Sequence, residues 1–175
     1  MIAGVKDWLD YMPPNMKFLF SFDRITDNIY FRINNSEQII QLLPNIYKIQ
    51  GKYVSHYWIQ HEAKIILGIE LQHVDEGLVV TLVGKKQLYK NKTPFASELY
   101  RIILNDNKSA KIFSDTVMNI DGLNIWKRLI NSDNVFVFDK KNQKILIGPV
   151  LSPNDLDKFV NADTGYKNYQ FVLTK

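Results

Sequence analysis

Between Leu78 and Leu129 the chain reads strand, lysine-rich turn, helix, strand, helix with little slack between elements, and few folds can thread that order. Leu78-Val79-Val80-Thr81-Leu82-Val83 is a β-branched run, after which Lys85 to Lys92 supplies four lysines and turns the chain. Thr93-Pro94 then predicts a helix start: Thr at the N-cap accepts an orphan backbone donor, and Pro at the first helical position has no N–H to leave unsatisfied. Phe95, Leu99, Ile102 and Ile103 keep one apolar face on that helix. Lys111 to Phe113 reads as a short strand, Asn119 as the cap of a second helix, and Leu123, Trp126, Leu129 and Ile130 as its buried stripe. Leu99, Ile103, Phe113 and Trp126 are expected to pack together. The order sets a helix N-terminus, with its free N–H groups and positive dipole end, directly after a cationic loop, which is an arrangement suited to anions.

The flanking chain reads more conventionally. Val5, Trp8, Leu9 and Met12 form a helical stripe stopped at Pro13-Pro14, and Met16 to Phe22 with Asn28 to Ile33 predict a hairpin around the polar turn Asp23 to Asp27. Ser36 is expected to cap a short helix carrying Ile39, Ile40, Leu42 and Leu43. Tyr53 to Gln60, Lys64 to Val74 and Leu78 to Gly84 predict an antiparallel meander. The last of these should then lie parallel to Lys111 to Phe113, since a helix crosses over between them. Val135 to Asp139 and Lys144 to Ile147 predict another hairpin, Ser152-Pro153-Asn154-Asp155 a last short helix, and Tyr169 to Thr174 a terminal strand.

A chain of 175 residues, 46% apolar and with no linker-like stretch, is expected to be one domain. Residues 1–50 would give N-terminal helix and hairpin elements, 53–139 the core, and 140–175 a C-terminal hairpin, helix and strand. The absence of cysteine excludes disulfides, thiolate metal sites and a cysteine nucleophile. No apolar run reaches the roughly 20 residues of a membrane span, and Asp7 and Asp10 stand where a signal peptide would be cationic then apolar, so a cytoplasmic protein is expected. Of 22 basic residues only Arg24, Arg32, Arg101 and Arg128 are arginine, a balance that disfavours sequence-specific nucleic-acid readout. His56, His61 and His73 stand in no metal-ligand spacing, so no metal site is expected. No P-loop, G-x-G-x-x-G or G-x-S-x-G motif is present.

The element order over roughly Tyr53 to Asp139 resembles the GNAT N-acetyltransferase superfamily, in which a splayed mixed sheet holds acetyl-coenzyme A between two central strands. The fold class implied is α/β (α+β), with a mostly antiparallel twisted sheet and helices on both faces. The family's pyrophosphate-cradling turn, R/Q-x-x-G-x-G/A, corresponds here to Asn91-Lys92-Thr93-Pro94-Phe95-Ala96, in which Asn91 replaces Arg or Gln, Pro94 replaces the first Gly and Ala96 keeps the pattern. Pro94 has no N–H to donate, and Lys85, Lys86, Lys90 and Lys92 are placed to compensate by charge. The resemblance therefore implies acetyl-CoA held by Lys90, Lys92, Thr93, Phe95 and Ala96.

Where many of these enzymes carry a tyrosine acid on the second central helix, this chain has Trp126, which does not titrate usefully, leaving the role to Tyr100, to Tyr89 or to nothing. For the general base the resemblance points to Glu70, since an acid within an apolar strand either faces solvent or has a raised pKa. Two functions follow. One is an active N-acetyltransferase modifying an amine. The other is a GNAT-like scaffold with weak or no transfer activity that works through a protein partner or as a homo-oligomer, similar to small acetyltransferase-like accessory or virion proteins of tailed bacteriophages.

Overall fold

The structure, a computed structural model, describes residues 14–108, 111–114, 120–150, 152–160 and 168–175. The stripe from Val5 to Met12 and the Asn119 cap lie outside them. The elements run α1 (Pro14–Asn34), β1 (Ile39–Leu43), β2 (Ile46–Ile49), β3 (Val54–His61), β4 (Lys64–Val74), β5 (Gly77–Lys85), α2 (Ala96–Asp106) and β6 (Ile112–Phe113). Then come α3 (Ile120–Ile130), β7 (Asn134–Asp139), β8 (Lys144–Ile147), α4 (Asp157–Val160) and β9 (Tyr169–Thr174). All nine strands join one open sheet in the order β1-β2-β3-β4-β5-β6-β9-β7-β8. Every pairing is antiparallel except β5 with β6. The class is α+β, a mixed and mostly antiparallel sheet with helices on both faces.

Two apolar clusters record the two faces. α1 covers one with Phe22, Ile25, Ile29 and Ile33 against Ile49, Trp58, Ile65 and Leu82. The other is larger: Leu99, Tyr100 and Ile103 of α2, Trp126 and Leu129 of α3, and Leu156 close over Tyr57, Leu67, Ile69, Leu71, Ile112, Val137 and Leu173. Trp126 sits at its centre, edge-on to Tyr100 at 5.7 Å between ring centroids and 5.8 Å from Phe171. Leu99 and Ile103 join Trp126 as expected, but Phe113 does not. Successive strand residues face opposite ways, so Ile112 enters this cluster and Phe113 meets Phe138 at 5.8 Å.

The hairpin expected from Met16 to Ile33 is instead a single helix. Ile25, in the middle of the supposed turn, is fully buried. Phe22, Ile25, Ile29 and Ile33 recur at the 3, 4, 4 spacing of a helix face, and no Gly or Pro interrupts them. Ser36 likewise belongs to the end of α1 and opens no helix. It adopts φ 60° while its N–H donates to the Ile33 carbonyl at 3.0 Å, and the Glu37 N–H reaches the Arg32 carbonyl at 3.2 Å, the paired bonds of a Schellman cap. Released there, Ile39 to Leu43 extend as β1 and pair back with β2 across Pro44-Asn45, where Asn45 takes φ 65°.

The seat of α1 is built by a cross-strand row graded from large to absent side chains. Tyr47, Trp58, Gly68 and Gly84 are successive register partners from β2 to β5, with Tyr47 and Trp58 stacked at 5.7 Å. A Cβ on Gly84 would stand 2.5 Å from Phe22 Cα, and one on Gly68 would stand 2.9 Å from Ile25 Cγ1. The glycines form a trough into which the helix backbone sinks. Gly84→Ala is expected to cost about 1–3 kcal/mol, because the obstructing atoms are backbone and no rotamer relieves them. Urea unfolding that leaves the midpoint unchanged would contradict this seating. Trp126→Ala, at the centre of the opposite core, is expected to cost about 3–5 kcal/mol in the same assay.

Candidate functional site

β5 and β6 pair only through Leu78 with Ile112 and Val79 with Phe113 among the described residues. Past Val79, β5 runs on to Lys85 along β4 without β6 beside it. A cleft of about 530 Å³ lies at that end, lined by Val83 and Lys85 of β5, Lys90, Phe95 and Ala96 leading into α2, and Asp121, Ile125 and Arg128 along α3. Asp121, Ile125 and Arg128 stand at i, i+4 and i+7, so one stripe of α3 forms the wall. Small-molecule sites of roughly 300–1,000 Å³ are commonly found where a sheet opens in this way.

The cleft is cationic, and one of its cations is buried. Lys85 is 6% exposed, and its ammonium donates to the Lys92 carbonyl, which ties down the β5–α2 loop. Two cations lie against the Phe95 ring, Lys85 Nζ at 5.1 Å and the Arg128 guanidinium carbon at 3.9 Å from its centroid. Burial pushes the Lys85 pKa below its ordinary value and the nearby Arg128 pushes it further, while Glu98 acts in the opposite sense. The Oδ2 of Asp121 is buried without a hydrogen-bond partner.

The entry to α2 differs from the expected one. The helix begins at Ala96 with Phe95 at the N-cap, two residues beyond Thr93, and the Phe95 N–H donates to the Glu98 carboxylate at 2.8 Å. Glu at the third helical position reaches back in this way in a capping box, and Phe95 has no side-chain acceptor with which to return the bond. Of the five residues expected to hold a cofactor, Lys90, Phe95 and Ala96 line the cleft, while Lys92 and Thr93 are exposed outside its lining. Arg128 was not foreseen in this role. Its signal in the sequence was its helical register with Asp121 and Ile125, which has meaning only once α3 is known to border the cleft.

The two expected catalytic residues lie elsewhere. Tyr100 is 2% exposed, packed edge-on to Trp126, and does not line the cleft. Glu70 lies on the α1 side of β4, neither facing solvent nor holding a raised pKa. Its carboxylate accepts from Asn28 Nδ2 at 3.0 Å and Thr81 Oγ1 at 2.8 Å, and contacts His56 Nε2 at 2.9 Å. Arg32 Nη1, which can only donate, lies 2.8 Å from His56 Nδ1, so Nδ1 accepts and the Nε2–H donates a hydrogen bond to Glu70. The His56 bond, aided by Thr81 and Asn28, outweighs burial and lowers the Glu70 pKa to about 2. A carboxylate so satisfied has no tendency to take a proton near neutrality, so the reason for naming it a base falls away.

Among the described residues no group of His, Asp and Glu is placed to hold a metal ion, and no helix is long and apolar enough to cross a membrane. Comparison with protein-family models, with curated proteins and with solved structures finds no match.

Glu70 makes a pH-dependent contribution to stability. Its folded pKa lies below the unfolded value of 4.5, so the stabilisation is complete above about pH 4.5 and is lost as pH falls toward 2. Glu70→Gln is expected to remove about 2–3 kcal/mol at neutral pH and to flatten that acid limb. Equal slopes for both proteins in urea titrations between pH 2 and 5 would refute the assignment.

Proposed function

We propose that the chain is a GNAT-like scaffold whose cleft binds a phosphate-bearing cofactor of the coenzyme A class, with weak or no acetyl transfer. The observation that carries this reading is the pair of cations, Lys85, which is buried, and Arg128, which is exposed, held against one aromatic ring without a carboxylate in salt-bridge contact with either among the described residues. Two like charges brought together beside a cleft repel each other, and an anion entering between them removes that repulsion. The parting of β5 from β6 beside the start of α2 supports the coenzyme reading, because a splayed pair of central strands is where the resembling family seats its cofactor. Weak transfer follows from the placement of the expected acid and base, Tyr100 within the core and Glu70 beneath α1.

Titration calorimetry with coenzyme A tests this. Wild type is expected to bind, with an affinity that falls as salt is added, and both Lys85→Met and Arg128→Ala are expected to weaken binding by at least about tenfold. Incubation with acetyl-CoA and a mixture of primary amines is expected to release no thiol above the rate of spontaneous hydrolysis. No heat from wild type at millimolar coenzyme A would remove the binding reading, and amine-dependent thiol release would favour an active N-acetyltransferase.

A further inference from the structure

Resting on that reading of the cleft, we infer that Glu98 is the resident counter-anion of the site, occupying the start of α2 and competing with the ligand's phosphate for it. Two positions at the entry to α2 have no donor to spare. Pro94 has no N–H, and the Phe95 N–H is already bonded to the Glu98 carboxylate at 2.8 Å. Phe95 is also the residue whose ring both cations contact, so the Glu98 carboxylate is anchored to the backbone of the residue that gathers Lys85 and Arg128. Its charge favours the Lys85 ammonium form, although burial and Arg128 together outweigh it and leave the Lys85 pKa below its ordinary value.

A carboxylate and a phosphate oxygen seek the same donors: a backbone N–H at a helix start, with cations beside it. Glu98, on the Phe95 N–H at the border of the cleft, therefore supplies part of what a bound phosphate would supply. A ligand must either push it aside or bind beside a like charge. Glu98 sets affinity by opposing binding, and the Lys85 and Arg128 side chains provide the attraction. This is the reverse of the arrangement expected from the sequence, in which an open helix start draws the anion and lysines of the loop assist it.

Glu98→Gln separates the two roles of the residue. Gln keeps an acceptor for the Phe95 N–H, as it does in capping boxes, and removes only the charge. In titrations with inorganic pyrophosphate and with coenzyme A, Glu98→Gln is expected to bind both about fivefold more tightly than wild type, with a melting temperature within a few degrees of it. Should this variant not fold, wild type alone still decides: an NMR titration with pyrophosphate is expected to move the Phe95 amide resonance in step with occupancy as its partner changes from carboxylate to phosphate. Equal or weaker binding by a folded Glu98→Gln, or a Phe95 amide that stays fixed while pyrophosphate binds, overturns the inference. If binding in those experiments still depends on Lys85 and Arg128, the cleft reading survives without it. If neither wild type nor Glu98→Gln binds either probe at millimolar concentration, the cleft reading fails and the inference with it.

Discussion

The parallel pairing of β5 with β6 is the constraint on which the rest of the architecture depends. Parallel neighbours cannot be joined by a tight turn, so the chain must leave the sheet, cross a face and return, and α2 is that crossing. Because the pairing spans only two residues on each strand, the remainder of β5 continues along β4 without β6, and the sheet parts where β5 ends. The loop from Lys86, the start of α2 and one stripe of α3 then border the opening. A longer β6 pairing would close the sheet and leave no cleft. Packing that fixes Ile112 within the core beneath α2 and α3 therefore also fixes the site.

Around the Phe95 ring, Lys85, Arg128 and Glu98 form no ion pair among the described residues. Lys85 donates a hydrogen bond to a neutral carbonyl, Arg128 rests on a ring, and the Glu98 carboxylate is engaged by a backbone N–H. Contrast the face beneath α1, where Glu70 meets three donors and His56 is bonded through both nitrogens. Buried polar groups that are satisfied on all sides specify a packing arrangement, whereas a buried cation with weak partners is a reservoir of interaction energy for something that has yet to arrive. The charges around the Phe95 ring and those beneath α1 thus differ in how fully they are satisfied, and the low Glu70 pKa belongs to the satisfied set.

Much of the sheet was legible because its strands carry strong local signals. β4 and β9 match their sequence-predicted ranges at both ends, and the β3–β4–β5 meander follows from β-branched runs separated by short polar turns. The parallel β5–β6 pair followed from topology alone, since a helix between two strands leaves little choice. The insertion of β9 between β6 and β7 had no local signal, because strand order depends on pairings far apart in sequence. The start of α2 moved two residues for a similar reason: the Thr93-Pro94 signature is sound in isolation, but Glu98 captures the Phe95 N–H and sets the cap there.

One misread element accounts for the misplaced base. With Met16 to Ile33 taken as a hairpin, no helix covers the Gly68 and Gly84 side of β4, and an acid on that side can only face water or be buried without partners. Either state makes Glu70 interesting as a base. Once Phe22, Ile25, Ile29 and Ile33 are read as a single helical stripe, Asn28 falls between them on the same side of the helix and reaches Glu70, while Arg32, one turn further on, reaches His56. The polar residues that seemed to break an apolar strand pattern are the donors that satisfy the sheet's buried acid. Alternation over five or six residues cannot distinguish these cases, but a stripe that continues unbroken through a supposed turn can, and Ile25 is the residue on which that distinction rests.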